Sequence, residues 1–152
     1  MTLRERLDED LKAALRAKDT TRLSVIRGIK AAVLAQETQS RRTLLDDDGI
    51  IGVIVRELKE RREVLPQFEA AGRTDLVEKA RNEIAVLESY LPQALTAEEI
   101  AGLIQEAVAA VGASGPKDHG KVMAWLAPRI RGRADGRAVS EAVKARLTAP
   151  AE

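Results

Sequence analysis

The sequence predicts an all-α protein, with an N-terminal four-helix domain followed by a C-terminal three-helix bundle. Apolar residues recur at helical spacing along nearly all of its 152 residues. About 45% of the residues are hydrophobic, yet Trp125, Tyr90 and Phe68 are the only aromatic ones. The core must therefore come largely from Ala, Leu, Val and Ile. Ala and Leu favour helices, whereas strands favour aromatic and β-branched residues.

The N-terminal domain is predicted to span residues 1–92, beginning with two helices joined by a short turn. The first helix ends near Lys18, and its apolar stripe is Leu3, Leu7, Leu11 and Leu15. Asp19 and Thr20 can cap the second helix, whose predicted inner face is Leu23, Ile26, Ile29, Lys30 and Val33. The segment ETQSRRT, residues 37–43, is polar and aperiodic, which predicts a loop.

A third helix is predicted to follow the acidic run Asp46, Asp47 and Asp48, because a helix N-terminus favours carboxylates. A cation site is the alternative, although a hard cation needs six or more oxygen ligands. The apolar face comprises Ile50, Ile54, Leu58, Leu65 and Phe68. The outer face carries opposite charges four residues apart, in the pairs Arg56–Glu60, Glu57–Arg61 and Lys59–Glu63. Pro66 is expected to kink this helix or to end it near Leu65.

The fourth helix is expected to follow a turn at Gly72 and to stop before Pro92. Asp75 and Glu78 have the spacing of a capping box. The predicted apolar stripe is Leu76, Ala80, Ile84, Leu87 and Leu91. Proline at position 92 and a new helix start at Thr96 place the domain boundary at about residues 92–96.

The C-terminal domain, residues 96–149, is predicted to contain three short helices. A capping box of Thr96 and Glu99 opens the fifth helix, and Gly112 ends it. The sixth follows Pro116, is closed by Gly132, and buries Val122, Met123, Leu126 and Ile130, with Pro128 able to bend it. Asp135 caps the seventh, whose inward residues are Val139, Val143 and Leu147.

Composition excludes several classes of function. The formal net charge is +1, and the chain has no cysteine, so no disulfide framework or thiolate chemistry is expected. It lacks a signal peptide's apolar core, a membrane-spanning run and a phosphate-binding Gly-rich motif. His119 is the only histidine and lies near a helix start, which is more typical of a structural role. We therefore expect a soluble, cytoplasmic protein with no catalytic residues, cofactor, metal or membrane partner.

One segment concentrates positive charge. Residues 117–137 contain two acids, Asp118 and Asp135, and six bases: Lys117, Lys121, Arg129, Arg131, Arg133 and Arg137. The segment is net +4, so the rest of the chain is net −3. Basic side chains beside glycines suit phosphate contacts, which makes these six the candidate nucleic-acid-binding residues. The alternative is that Arg129 and Arg131 only complement a helix C-terminus. Trp125 is expected to pack in the core rather than to stack on a base.

The order of these segments resembles the GatB/YqeY family, and specifically its free-standing YqeY branch. The resemblance runs from LRERLDEDLKAALRAKD through RLSVIRGIKAAV, VIVRELKERRE and GRTDLVEKARNEIAVLESYLPQALTAEEI to the C-terminal helices. The family's GKVM and glycine-rich basic elements match Gly120, Lys121, Val122, Gly132, Ala134 and Asp135. Ala124 and Trp125 depart from it, because a glycine commonly follows the methionine in the family.

The resemblance implies a helical protein whose C-terminal part is similar to the tail domain of the tRNA-dependent amidotransferase B subunit. It implies a tRNA-binding or amidotransferase-associated accessory module, with tRNA and an amidotransferase or aminoacyl-tRNA synthetase as partners. The family-level activity, carbon–nitrogen ligase with glutamine as amido-N-donor, needs catalytic regions that do not appear here. An adaptor docking a protein on the N-terminal helices, and an amidotransferase component, are the alternatives. Oligomeric state stays open.

Overall fold

The computed structural model describes residues 1–149, and every regular element in that range is helical. Seven α-helices and one short 3-10 turn, Pro116–Asp118, follow one another along it. The α-helices are α1 (Leu3–Ala17), α2 (Thr20–Gln39), α3 (Asp47–Ala70), α4 (Thr74–Glu88), α5 (Ala97–Val111), α6 (His119–Ile130) and α7 (Gly136–Thr148). The prediction of an all-α protein is confirmed for the described residues.

The chain divides into two compact units, Met1–Leu91 and Pro92–Glu152. The first contains α1 to α4, and the second contains α5 to α7. The core of the first unit draws on α1 to α4 and on the residues that follow α4. Its buried residues are Leu3, Leu7, Val25, Ile26, Ile29, Val33, Ile50, Val53, Ile54, Leu58, Val86, Leu87 and Tyr90.

The second unit buries a separate apolar cluster. It consists of Ile104, Ala107, Val122, Leu126, Ile130, Val139, Val143 and Leu147. These residues recur three or four positions apart on α5, α6 and α7, so each helix contributes one stripe to the cluster. The same three helices therefore expose their opposite faces, where the charged side chains lie.

The predicted helix ends that depend on local chemistry are confirmed. Asp19 and Asp46 accept hydrogen bonds from amide groups three residues later, as N-caps do. Thr96 forms a capping box with Glu99, and Gly112 ends α5 with φ 65°. Asp135 accepts a hydrogen bond from the amide of Arg137 and begins α7. Each of these signals involves residues at most four positions apart, so they can be read from the sequence.

Two sequence predictions about the first unit are wrong, and a third is narrowed. Pro66 does not end α3, which continues to Ala70 and packs against α4, so of the two predicted alternatives the kink stays a prediction. Asp75 and Glu78 do not form a capping box, since Arg73 is the N-cap of α4 and makes no side-chain capping bond. The segment 37–43 is not wholly loop, because α2 extends to Gln39 and includes Glu37.

The outer charge pairs of α3 are only partly as predicted. Arg61 contacts Glu57 on its own helix at 2.8 Å, and it also reaches Glu83 on α4 at 3.4 Å. Lys59 and Glu63 are 3.9 Å apart, at the edge of an ion pair. The Arg61 side chain is only 22% exposed, so its charge joins α3 to α4 rather than facing water.

Glu37 is a buried carboxylate that holds three segments together. It is 6% exposed, and its Oε2 accepts hydrogen bonds from the amide of Leu45 at 2.8 Å and from the Arg4 guanidinium. Arg4 also donates to the carbonyl of Leu45 at 3.2 Å. The Leu45 amide and, secondarily, Arg4 lower the pKa of Glu37 despite the opposing effect of desolvation. Glu37 thus ties α1 and the segment before α3 to the end of α2.

A second polar contact fastens α1 to the end of α4. The hydroxyl of Tyr90 donates to Asp10 at 2.6 Å, and Arg6 lies over the Tyr90 ring with its Cζ 4.7 Å from the centroid. Arg6 also donates to the carbonyl of Ser89 at 3.0 Å. Burial, helped by the neighbouring Asp10 carboxylate, raises the pKa of Tyr90 to about 12.

Replacing the buried carboxylate should weaken the fold in a pH-dependent way. Because the folded-state pKa of Glu37 lies below its ordinary value of 4.5, its contribution to stability is present above that pH and is lost as the pH falls. Glu37→Gln should therefore lower the urea midpoint at pH 7 more than at pH 3. The control Glu60→Gln, at an exposed position of α3, should follow the wild type at both pH values. Equal loss at pH 3 and pH 7 would contradict this role.

Tyr90 is the only tyrosine, so its ionisation can be followed by ultraviolet absorbance. We expect a midpoint near pH 12 in the folded protein, compared with 10.0 for an ordinary tyrosine. Since the raised pKa favours the protonated folded state, this contribution to stability should disappear as the pH rises through that range. Asp10→Asn removes a neighbouring negative charge and should lower the midpoint. A wild-type midpoint near 10 while circular dichroism still shows the folded protein would refute the assignment.

Candidate nucleic-acid interface

The six candidate residues fall into two groups along α6. Lys117 and Lys121 lie at its start, whereas the other four extend from its last turn to the first turn of α7. Twelve residues at 1.5 Å per residue make α6 about 18 Å long. Lys121 and Arg129 are eight residues apart, or about 12 Å along the axis. We call residues 129–137 the α6–α7 corner. The four arginines of the corner are thus neighbours along the chain, at the opposite end of α6 from the two lysines.

The sixth helix ends in a type II β-turn that requires glycine. Arg131 has φ −57° and ψ 122°, Gly132 has φ 73°, and the amide of Arg133 donates to the carbonyl of Ile130 at 2.8 Å. Only glycine adopts that third-position conformation without strain. The turn places Arg131 at an exposed position directly after the helix.

Trp125 and Arg129 form a stacked pair on the exposed side of α6. The Cζ of Arg129 lies 3.6 Å from the centroid of the Trp125 ring, and its Nη1 donates to the Trp125 carbonyl. The indole is half-buried and packs against the core of the second unit, so the predicted core role is confirmed. Its ring also holds a cation, with an energy of about 0.5–1 kcal/mol at an exposed site.

Arg133 has a structural task within the second unit. Its Nε donates to the carbonyl of Gln93 at 3.0 Å, and its own carbonyl accepts from the amide of Leu95 at 2.8 Å. These two bonds fasten the turn to the segment before α5. Of the corner arginines, Arg133 is half-buried, whereas Arg129, Arg131 and Arg137 are exposed. Three side chains of the corner are therefore presented to solvent.

The two acids of the basic segment both accept backbone hydrogen bonds. Asp135 caps α7, as described above. Asp118 is 7% exposed and accepts from the amide of Ser114 at 2.9 Å, which is the main reason that its pKa is lowered. Lys121 lies 4.0 Å from Asp118, so part of the positive charge at the start of α6 is offset. The corner is consequently the more strongly positive of the two groups.

His119 joins two helices. It is half-buried at the start of α6, and its Nε2 lies 3.1 Å from the hydroxyl of Ser140 on α7. It borders a shallow groove whose other lining residues are Pro116, Glu141, Lys144, Ala145, Leu147 and Thr148. Packing of α6 against α7 is sufficient to explain the contact between the His119 ring and Ser140. The prediction that the chain has no catalytic residues stays a prediction.

The described residues contain no gathered set of three or more side chains that could hold a metal ion. Within residues 1–149, no helix is both long and apolar enough to cross a bilayer. The most exposed large apolar side chains described on the first unit are Met1, Leu34 and Leu44. Exposed apolar residues are ordinary on protein surfaces, so the adaptor hypothesis stays a prediction.

The geometry of the corner was only partly accessible from the sequence. The spacing of Trp125 and Arg129, four residues apart on a helix, could have predicted their contact. The bond from Arg133 to Gln93 spans 40 residues and has no local signal. The sequence therefore could not distinguish the arginine that fastens the turn from those that face solvent.

Comparison with known proteins identifies the family. The model of the Yqey-like protein family matches residues 4–147, nearly the whole chain. The chain belongs to the YqeY-like family. The resemblance noted from the sequence is confirmed at this level.

Curated relatives of this YqeY-like protein occur in fungi, under the name altered inheritance of mitochondria protein 41, mitochondrial. The protein of Kluyveromyces lactis is 36% identical over 102 residues, covering 65% of this chain and 55% of that protein. That of Pyrenophora tritici-repentis is 30% identical over 142 residues, covering 91% and 77%. That of Lachancea thermotolerans is 29% identical over 147 residues, covering 93% and 76%. The match thus spans between about half and three-quarters of these relatives. Cytoplasmic location, tRNA binding and amidotransferase association stay predictions.

The turn glycine offers a direct test of the corner's construction. Gly132→Ala forces a side chain into a left-handed conformation and should destabilise the second unit by about 1–2 kcal/mol. Gly120→Ala is the matched control, because Gly120 is helical and a Cβ there meets no atom within 4 Å. That change should be neutral or stabilising by up to about 1 kcal/mol. Urea unfolding followed by fluorescence of Trp125, the only tryptophan, measures both. Equal effects of the two substitutions would rule out the turn's dependence on glycine.

Proposed function

We propose that this YqeY-like protein is a non-catalytic accessory module that contacts tRNA phosphates through the α6–α7 corner. One observation carries the proposal. The exposed side chains of Arg129, Arg131 and Arg137 lie within a stretch of nine residues that includes the glycine turn. Arg133 holds this turn in place through its hydrogen bond to the carbonyl of Gln93. The only carboxylate of that stretch, Asp135, is engaged in capping α7.

These arginines are better suited to binding phosphate groups than to binding the carboxylates of a protein partner, whose arrangement varies. A guanidinium is planar and always charged, and it can give two parallel hydrogen bonds to a phosphate. Stacking on Trp125 restricts the orientation of Arg129 before any ligand arrives, while most of its five N–H donors stay unused by the helix. A side chain ordered in advance loses less entropy on binding.

The same geometry argues against recognition of individual bases. Proteins that read single-stranded RNA stack bases on open aromatic faces. Here Arg129 covers a face of Trp125, and the second unit has no other aromatic residue. We therefore expect shape and phosphate contacts to dominate, with weak dependence on nucleotide sequence. This fits a structured RNA such as tRNA, which presents a fixed pattern of phosphates.

In this proposal a separate enzyme carries out the carbon–nitrogen ligase reaction with glutamine as amido-N-donor. The similarity of the C-terminal part to the tail domain of the amidotransferase B subunit supports a place beside that enzyme or a synthetase. In this role the chain supplies contact with tRNA, and its partner supplies the reaction. An amidotransferase component with its own activity would need a cluster of catalytic groups, for which we find no support among residues 1–149.

The test is a titration with transcribed tRNA at several salt concentrations. Arg129, Arg131 and Arg137 are changed together to Gln, while Arg133 is kept because it fastens the turn. If three phosphates are contacted, the slope of log affinity against log salt should become shallower by about three. A matched control changes Arg56, Lys59 and Lys79 of the first unit to Gln, which removes the same charge from exposed positions.

Trp125 gives this experiment a local readout. Phosphate binding at Arg129 should disturb the stacked pair and change the fluorescence of the only tryptophan. The control variant should bind like the wild type and show the same fluorescence change. If the corner variant and the control bind tRNA equally, the proposed function is wrong.

A further inference from the structure

The helical hairpin of α1 and α2 carries more clustered positive charge than the C-terminal segment. Between positions 12 and 30 the chain has one acid, Asp19, and six bases, so this stretch is net +5. The bases are Lys12, Arg16, Lys18, Arg22, Arg27 and Lys30. The segment attracts little notice in the sequence, because it is divided between two helices and has no glycine-rich motif.

The fold places all of these bases except Lys30 between the Asp8–Lys30 pair and the turn of the hairpin. Lys30 pairs with Asp8 across the two helices, and the chain reverses at Lys18 and Asp19. This register places the part of α1 after Asp8 beside the part of α2 before Lys30. Lys12 and Arg16 are one turn apart, about 6 Å along α1, and Arg27 lies on the facing helix near the level of Lys12. We call Lys12, Arg16, Lys18 and Arg27 the hairpin tip.

The hairpin tip is open to solvent. All four of its residues are exposed. The side chains of Arg16, Lys18 and Arg27 form no ion pair or hydrogen bond with any other residue among positions 1–149. Asp19 caps α2 and lies 3.7 Å from Arg22.

The acids of α1, at positions 5, 8, 9 and 10, all belong to the first half of that helix. Lys30 chiefly lowers the pKa of the Asp8 carboxyl, and Lys12, one helical turn after Asp8, adds to this effect, so the charge of Lys12 is partly offset. The positive charge of the hairpin tip therefore rests mainly on Arg16, Lys18 and Arg27.

Helix stability does not account for this arrangement. Basic residues at the end of α1 complement its dipole, so Arg16 alone has a structural explanation. The second helix has the reverse pattern, because its first turn contains no acid and Arg22 and Arg27 occupy its positive half. No acid follows Asp19 until Glu37. Lys18, the C-cap of α1, has a left-handed backbone conformation with φ 56°. Glycine would adopt this conformation with less strain, so helix stability does not explain a lysine here.

We propose that the hairpin tip is a second phosphate-binding surface, through which the first unit contacts RNA independently of the α6–α7 corner. The inference rests on the proposed function only in taking RNA as the polyanion. The tip gathers exposed cations, of which Arg16, Lys18 and Arg27 form no ion pair among positions 1–149. Such a cluster suits the closely spaced charges of a nucleic-acid backbone. Two contacts carried by one chain raise the effective concentration of each for the same RNA molecule.

The experiment uses the full chain and a tRNA transcript, titrated at several salt concentrations. Arg16, Lys18 and Arg27 are changed together to Gln, and the control again changes Arg56, Lys59 and Lys79 to Gln. Both variants carry the same net charge. The hairpin variant should lose about tenfold or more in affinity at low salt and flatten the salt slope by two to three, whereas the control should not. A variant with Arg16→Lys and Arg27→Lys keeps the charge and should retain binding.

The outcomes separate this inference from the proposed function. Loss of affinity in the hairpin variant, with the fluorescence change of Trp125 preserved at saturation, supports the hairpin tip whatever the corner variant does. If the hairpin variant and the control bind alike, the inference is wrong even if the corner variant loses binding. A hairpin variant that loses only its affinity for phosphatidylserine-rich vesicles would overturn it in favour of a membrane surface. Thermal unfolding of each variant shows that the fold is intact.

Discussion

Most helices of this protein are too short to be stable alone, so they depend on burying an apolar stripe in the core of their unit. Among the described residues, five of the seven helices have 12 to 15 residues: α1, α4, α5, α6 and α7. Isolated helices of that length are marginal in water. Burial of an aliphatic side chain contributes about 1.5–3 kcal/mol, and these stripes supply several such residues per helix. Burial of the apolar stripe thereby determines which face of each helix stays exposed to solvent and can carry charged side chains.

Local rules explain the parts of the fold that the sequence predicted well. Capping by Asp19, Asp46, Thr96 and Asp135 depends on atoms within one turn, and so does termination at Gly112. The features that the sequence did not predict have a different origin. Helix α3 continues past Pro66, where it packs along α4, and Glu37 is buried because Arg4 and Leu45 contact it from 33 and 8 residues away. Such effects exist only once distant segments have met.

The distribution of charge illustrates the same limit for the candidate sites. Counting along the chain finds the arginines of residues 129–137, because they are adjacent in sequence. The same count finds net +5 over residues 12–30, but it does not show that Arg27 on α2 lies near the level of Lys12 on α1. That placement needs the antiparallel packing of the two helices. Counting charges also does not reveal that Arg133 donates a hydrogen bond to Gln93, or that Arg129 stacks on the ring of Trp125. A basic residue's availability depends on its neighbours in space.

The placement of the aromatic residues has a practical consequence. The buried Tyr90 belongs to the apolar cluster of the first unit, and the half-buried Trp125 packs against that of the second. The chain has one of each. The only tyrosine and the only tryptophan therefore lie in different units, so that Trp125 fluorescence reports on the second unit and the ionisation of Tyr90 on the first, without a label or a truncation.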